Sequence, residues 1–136
     1  MRTKLGVLVA GLGLFCLAVP AGAHHSFAAE YDATKKVALT GVVTKVEWTN
    51  PHMRVYVDVT DEKGVVTSWN FELTSPNSVQ RQGWGKNDLK PGEKVNVVGY
   101  AGKVVESRAS LVSISKVGDG RPLFVQGGPG AADYPQ

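Results

Sequence analysis

Between Leu39 and Leu73 the chain alternates between apolar and polar residues, and this period of two constrains the fold more than any other feature. Thr40, Val42, Thr44, Val46 and Trp48 form one mostly apolar or β-branched row, while Lys45 and Glu47 point the other way. Met53, Val55, Val57 and Val59 alternate with Arg54, Tyr56, Asp58 and Thr60. Beyond the turn Asp61-Glu62-Lys63-Gly64, Val65, Thr67, Trp69, Phe71 and Leu73 alternate with Val66, Ser68, Asn70 and Glu72. Successive side chains leave a strand on opposite faces, so this is the pattern of half-buried antiparallel strands. Asn50-Pro51 separates the first strand from the second, because proline cannot donate to a ladder. Three strands in a meander are predicted.

The pattern changes at Ser75-Pro76, where a serine N-cap and a first-turn proline predict a helix start. That helix carries Val79 inward and ends by Gly83. Leu89-Lys90-Pro91-Gly92 reads as a turn, with proline and glycine in type II order. A fourth strand follows through Val95, Val97 and Gly99, and a fifth from Ala109 to Val117. The order of three strands, one short helix and two strands predicts an all-β fold. It is that of a small five-stranded Greek-key barrel, OB-like, with the helix between strands three and four. An open meander sheet with the helix on one face is the alternative. The barrel is expected over 37–120, after an N-terminal segment at 24–36, and residues 121–136 read as a flexible tail rich in glycine and proline.

The first 23 residues read as an export signal. Arg2 and Lys4 are followed by an apolar run from Leu5 to Val19, then Pro20, and Ala21-Gly22-Ala23 supplies small side chains at the −3 and −1 positions. The run is short for a membrane span, and no second one follows. Phe15 before Cys16 is too large for a lipidation site. Of the 15 Lys and Arg residues, two lie in this leader, which leaves 13 against 12 Asp and Glu. So balanced a chain lacks the clustered cation surface that nucleic acid requires. Cys16 is the single cysteine, so the processed chain has neither disulfide nor thiolate metal site. A periplasmic or secreted location is expected, with no membrane span after processing.

The three histidines are the candidate ligands, since imidazole is the commonest metal ligand. Cleavage after Ala23 makes His24 the N-terminal residue, whose amine and Nδ1 chelate one metal in a six-membered ring. His25 is an auxiliary ligand, and His52, just past Asn50-Pro51, is the distant third. Nitrogen donors in a T-shaped or tetragonal arrangement favour Cu(II). Cleavage after Ala21 would instead expose Gly22-Ala23-His24, whose amine, two amides and imidazole form a square-planar cage. Copper is therefore the expected cofactor, with Glu30 and Asp32 as carboxylate partners of the imidazoles. A solvated His-His linker and a loop histidine are the plainer reading.

Trp48, His52 and Met53 resemble in residue type the ligands of the periplasmic copper chaperones of metal-efflux systems, although the alternation makes Trp48 and Met53 core residues at strand ends. Tyr56 and Tyr100 mark an outer face that could serve an adaptor for a glycan or a periplasmic protein. No nucleophile elbow, phosphate loop or dinucleotide motif is present, so enzymatic activity is not expected. An oxidative copper enzyme with an N-terminal histidine brace, as in polysaccharide monooxygenases, is the enzymatic alternative.

His24-His25-Ser26-Phe27-Ala28-Ala29-Glu30-Tyr31-Asp32, Thr40-Gly41-Val42-Val43 and Glu47-Trp48-Thr49-Asn50-Pro51-His52 together resemble a bacterial family of small secreted proteins classified as a domain of unknown function. The likeness continues through Trp69-Asn70-Phe71-Glu72, Ser75-Pro76-Asn77, Arg81-Gln82-Gly83-Trp84 and Leu89-Lys90-Pro91-Gly92. Family patterns continue after Asn-Pro-His with alanine or serine and then tryptophan. Met53-Arg54 stands there instead, so Met53 is not carried over as a family ligand. The resemblance implies export and a small barrel, and it brings no established activity.

Overall fold

The structure, a computed structural model, describes residues 26–127; His24 and His25 lie outside them. A short helix α1 (Ser26–Glu30) leads directly into the long strand β1 (Tyr31–Glu47). β2 (Arg54–Thr60) and β3 (Val66–Glu72) complete the meander, and helix α2 (Pro76–Arg81) follows. β4 (Lys94–Gly102), β5 (Arg108–Lys116) and β6 (Pro122–Val125) come last among the described residues. Among the described residues no helix is long and apolar enough to cross a membrane.

The protein is mostly β-sheet, in the order β3-β2-β1-β4-β5-β6. A further pairing joins β3 to β5 in parallel, with Phe71 opposite Ala109, so the pairings β1–β2–β3–β5–β4–β1 return on themselves. Val55, Val57, Phe71, Val97, Ala109 and Ile114 are buried within this circuit. α2 begins as the sequence predicts: Ser75 is extended, and its side chain accepts a hydrogen bond from the Ser78 N–H at 3.4 Å. Val79 and Trp84 are buried beside it, and Gly83 takes the positive φ of 94° that ends the turn.

Three expectations change. Among the described residues there are six strands rather than five: β6 lies within the segment read as a tail, and Phe124 pairs with Ile114 of β5. Burying Phe124 to 4% exposure supplies the driving force that the surrounding glycine and proline conceal. At the other end, β1 already begins at Tyr31, inside the segment expected to precede the domain. Thr40 and Val42 were expected to face inward, whereas Gly41 and Val43 do so, and Val42 is 41% exposed. A register shift between Val43 and Lys45 accounts for this, because one extra residue exchanges the faces and returns Val46 and Trp48 to the core side.

Gly41 allows β1 to cross β2 closely. A Cβ there would fall on the Asp58 carbonyl oxygen and 2.7 Å from Val57 Cγ1. Gly41→Ala is therefore expected to cost about 1–3 kcal/mol, the range for forcing extra atoms into a filled interior. The midpoint of urea unfolding measures it. An unchanged midpoint would show that β1 and β2 separate at no cost.

Candidate functional site

β3 alternates, so Phe71 points into the core and its neighbour Glu72 points out. Register then determines what Glu72 meets. It stands opposite Arg54 on β2 and, across the parallel seam, opposite Ser110 on β5, two residues after Arg108. Met53 extends the β2–β3 ladder through hydrogen bonds from its N–H to Thr74 O and from Leu73 N–H to its own carbonyl, which brings His52 alongside.

Four side chains donate to the Glu72 carboxylate. His52 Nδ1 lies 2.7 Å from Oε1, while Arg54 Nη2 at 2.7 Å, Arg108 Nη2 at 2.8 Å and the Tyr31 hydroxyl at 3.0 Å share Oε2. The Glu72 side chain is only 14% exposed. Burial alone would raise its pKa and is the largest single influence. Hydrogen bonds from Arg108 and His52, the Arg54 charge and the Tyr31 hydroxyl together outweigh it, so the carboxyl is held below its ordinary value. The Tyr31 hydroxyl is pushed up to about 12, first by burial and then by the negative charge of Glu72. At neutral pH Glu72 is thus an anion, Tyr31 a neutral donor and both arginines cations.

α1 packs onto this cluster. The Phe27 ring lies 5.6 Å from Tyr31 and meets Tyr100 edge-on at 6.1 Å. Arg108 Nη2 reaches Glu30 Oε2 at 2.9 Å, and its guanidinium sits 5.7 Å above the Tyr31 ring. Lys103 donates its backbone N–H to Glu30 O at 2.9 Å and its amine to Ala28 O, which satisfies carbonyls at the helix end. Phe27, Glu30, Tyr31, His52, Arg54 and Arg108 line a cleft of about 240 Å³.

Of the three predicted ligands, His52 lies in this cleft, and His24 and His25 fall outside the described residues. Among the described residues no three His, Cys, Asp or Glu side chains gather closely enough to hold a metal ion. The expected carboxylate partners do not serve His52: Glu30 pairs with Arg108, and Asp32 accepts hydrogen bonds from the backbone and hydroxyl of its near neighbour Thr34. Glu72 takes that place, with Arg54, Arg108 and Tyr31 around it. None of these four was among the sequence candidates. Met53 is fully buried in the core, and Trp48 packs edge-on against Trp84 at 6.1 Å, so neither forms a soft-metal set with His52.

Tyr56 and Tyr100 do not make one platform. They pair with Lys45 and Lys36 of β1, nine positions apart, which is about 30 Å of strand. Tyr56 instead bonds Glu47 through its hydroxyl and lies under the Lys45 amine, while Tyr100 receives Phe27.

No curated protein matches this chain. Among solved structures it is similar to the mitochondrial single-stranded DNA binding protein Rim1 of S. cerevisiae, at 10% identity and a TM-score of 0.46, over 63% of this chain and 97% of that one. A selenomethionine form of the same protein gives the same identity and TM-score over 60% and 92%. A likeness of this degree carries nothing about ligands to this chain. The model of a family of unknown function, DUF6152, matches residues 11–110, and the chain belongs to that family.

Proposed function

We propose that the protein is exported and that its domain, an OB-like Greek-key barrel, binds one copper ion at the mouth of the Glu72 cleft. The ligands are His52 and the histidines of the processed N-terminus, His24 and His25. The domain buffers or carries the metal rather than turning over a substrate.

One observation carries this reading, the pairing of His52 Nδ1 with Glu72 at 2.7 Å on a side chain that is 41% exposed. In a neutral imidazole whose Nδ1–H is bonded to a carboxylate, Nε2 carries the lone pair, and ligating histidines are generally held in this way. The docking of α1 supports it further. Phe27, which follows the two histidines closely in sequence, lines the same cleft. Cleavage after Ala23 gives His24 a free amine beside its imidazole, and such a nitrogen set suits Cu(II).

The test is the native intact mass of protein exported and processed by a bacterium, with and without added copper. The expected product starts at His24, holds one copper, and loses it on His52→Ala, which removes a ligand outright. Chelation should lower the melting temperature of the loaded protein, because a bound ion stabilises only the folded state. A processed chain that stays metal-free would overturn the reading.

A further inference from the structure

We infer that the cleft is a binding site for a small aromatic monocarboxylate, and that Glu30 occupies that ligand's place on Arg108. The site needs no metal and stands apart from the copper reading.

A guanidinium offers five N–H donors in a rigid fork. Nη2 of Arg108 serves Glu72 at 2.8 Å and Glu30 at 2.9 Å, whereas Nε is buried and meets no acceptor among the described residues. A buried donor without an acceptor has given up water and gained nothing in return. Glu30 does not correct this. It is the last residue of α1, its carbonyl is tied to Lys103, and it touches Arg108 through one nitrogen. A carboxylate that is not tied to the helix can straddle two guanidinium nitrogens, the bidentate pairing that suits arginine.

The two carboxylates on Arg108 are not equally replaceable. Glu72 is 14% exposed and holds four donors, while the Glu30 side chain is 44% exposed. An ion pair as open as Glu30–Arg108 adds little stability, so Glu30 swings aside at small cost. Charge then selects the ligand. Arg54 and Arg108 balance Glu72 and Glu30, so a monoanion in place of Glu30 keeps the balance. A dianion would set an unmatched negative charge beside Glu72.

The walls supply the rest. The Phe27 and Tyr31 rings lie 5.6 Å apart, and the Arg108 guanidinium sits 5.7 Å above the Tyr31 ring. A ring carried on an Arg108-bound carboxylate therefore falls against aromatic surface. The cleft of about 240 Å³ is smaller than the about 300–1,000 Å³ of pockets for drug-sized molecules, so it suits a single ring.

Nitrogen-15 NMR of the arginine side chains in metal-free processed protein reads the site, with the Arg108 Nε–H signal assigned by its loss in Arg108→Lys. Benzoate should shift that signal saturably. Benzamide, which has the same shape without the charge, and sulfate, a dianion, should not. Glu30→Gln removes the internal competitor and should tighten benzoate about 2–5-fold by titration calorimetry, the equivalent of one exposed ion pair. Arg108→Lys keeps the charge, loses the fork and should abolish binding. If Arg108→Lys does not fold, the comparison of wild type with Glu30→Gln still decides. No benzoate binding to either protein overturns the site, and equal affinity in both overturns the role of Glu30. Benzamide or sulfate binding as tightly as benzoate overturns the ligand class. A protein that fails to bind copper leaves each of these outcomes unchanged.

Discussion

Phe71→Ala is expected to lower stability by about 3–5 kcal/mol, the range for removing a fully buried aromatic ring, and the melting temperature by of order 20 °C. Phe71 is fully buried, and it stands opposite Val55 on β2 and Ala109 on β5. Its ring stacks on Trp69 at 5.8 Å with an interplanar angle of 22°. Gly99 leaves room beneath it, since a Cβ there would sit 3.4 Å from Phe71 Cδ1 and 2.7 Å from the Ser110 carbonyl oxygen. The seam between β3 and β5 is only three residue pairs long, Asn70 to Glu72 against Arg108 to Ser110, so the ring supports the whole junction. Truncation therefore removes apolar burial and leaves a cavity where the circuit of strands closes. Denaturant unfolding measures the loss, and a change below about 1 kcal/mol would mean that the seam holds without the ring. Because Glu72 belongs to the same three pairs, Phe71→Ala should also loosen the cleft.

The strands were legible because their driving force is local and periodic. Val55, Val57 and Phe71 each lie where alternation puts them, and the Ser75-Pro76 and Gly83 signals delimit α2 in the structure as they do in the sequence. The inversion at Gly41–Val43 was not legible. A bulge adds one residue without altering composition, and Thr40, Val42 and Thr44 make a convincing face in either register. β6 escaped for a different reason: Leu123-Phe124 is too short a run to outweigh its neighbours, and its value depends on an edge of β5 that local sequence does not reveal.

The site divides along the same line. His52 was legible as a residue type, but its partner was not, because proximity in sequence favoured Glu30 and Asp32. The signal that would have found Glu72 is the hairpin register. A turn at Asp61–Gly64 places Thr60 opposite Val66, and counting back along both strands places Arg54 opposite Glu72. Arg108 and Tyr31 lie beyond such counting, since they arrive through the parallel β3–β5 seam and the docking of α1.

Glu72→Ala should cost about 2–4 kcal/mol at neutral pH, and the cost should shrink in acid. The substitution removes one acceptor from four donors and leaves two guanidinium cations facing a common gap. Breaking a fully buried pair costs about 3–5 kcal/mol; the Arg54 and Arg108 side chains are 26% and 34% exposed and recover part of that from water. The pH dependence follows from the lowered Glu72 pKa. A carboxyl whose folded value lies below its ordinary 4.5 contributes stability above 4.5 and loses it as pH falls through the folded value. Asp32, Glu47 and Glu93 are also lowered, but they are common to both proteins and cancel in the difference. Tyr31 governs the alkaline side. Its raised value means that stability is lost as pH rises from 10.0 to about 12, and removing the Glu72 charge should narrow that window. Unfolding free energies of wild type and Glu72→Ala should therefore converge below about pH 4.5 and stay apart from neutrality to pH 9. Parallel curves across the acid range would mean that the carboxylate is solvated in the folded protein, and His52 would then have no fixed partner.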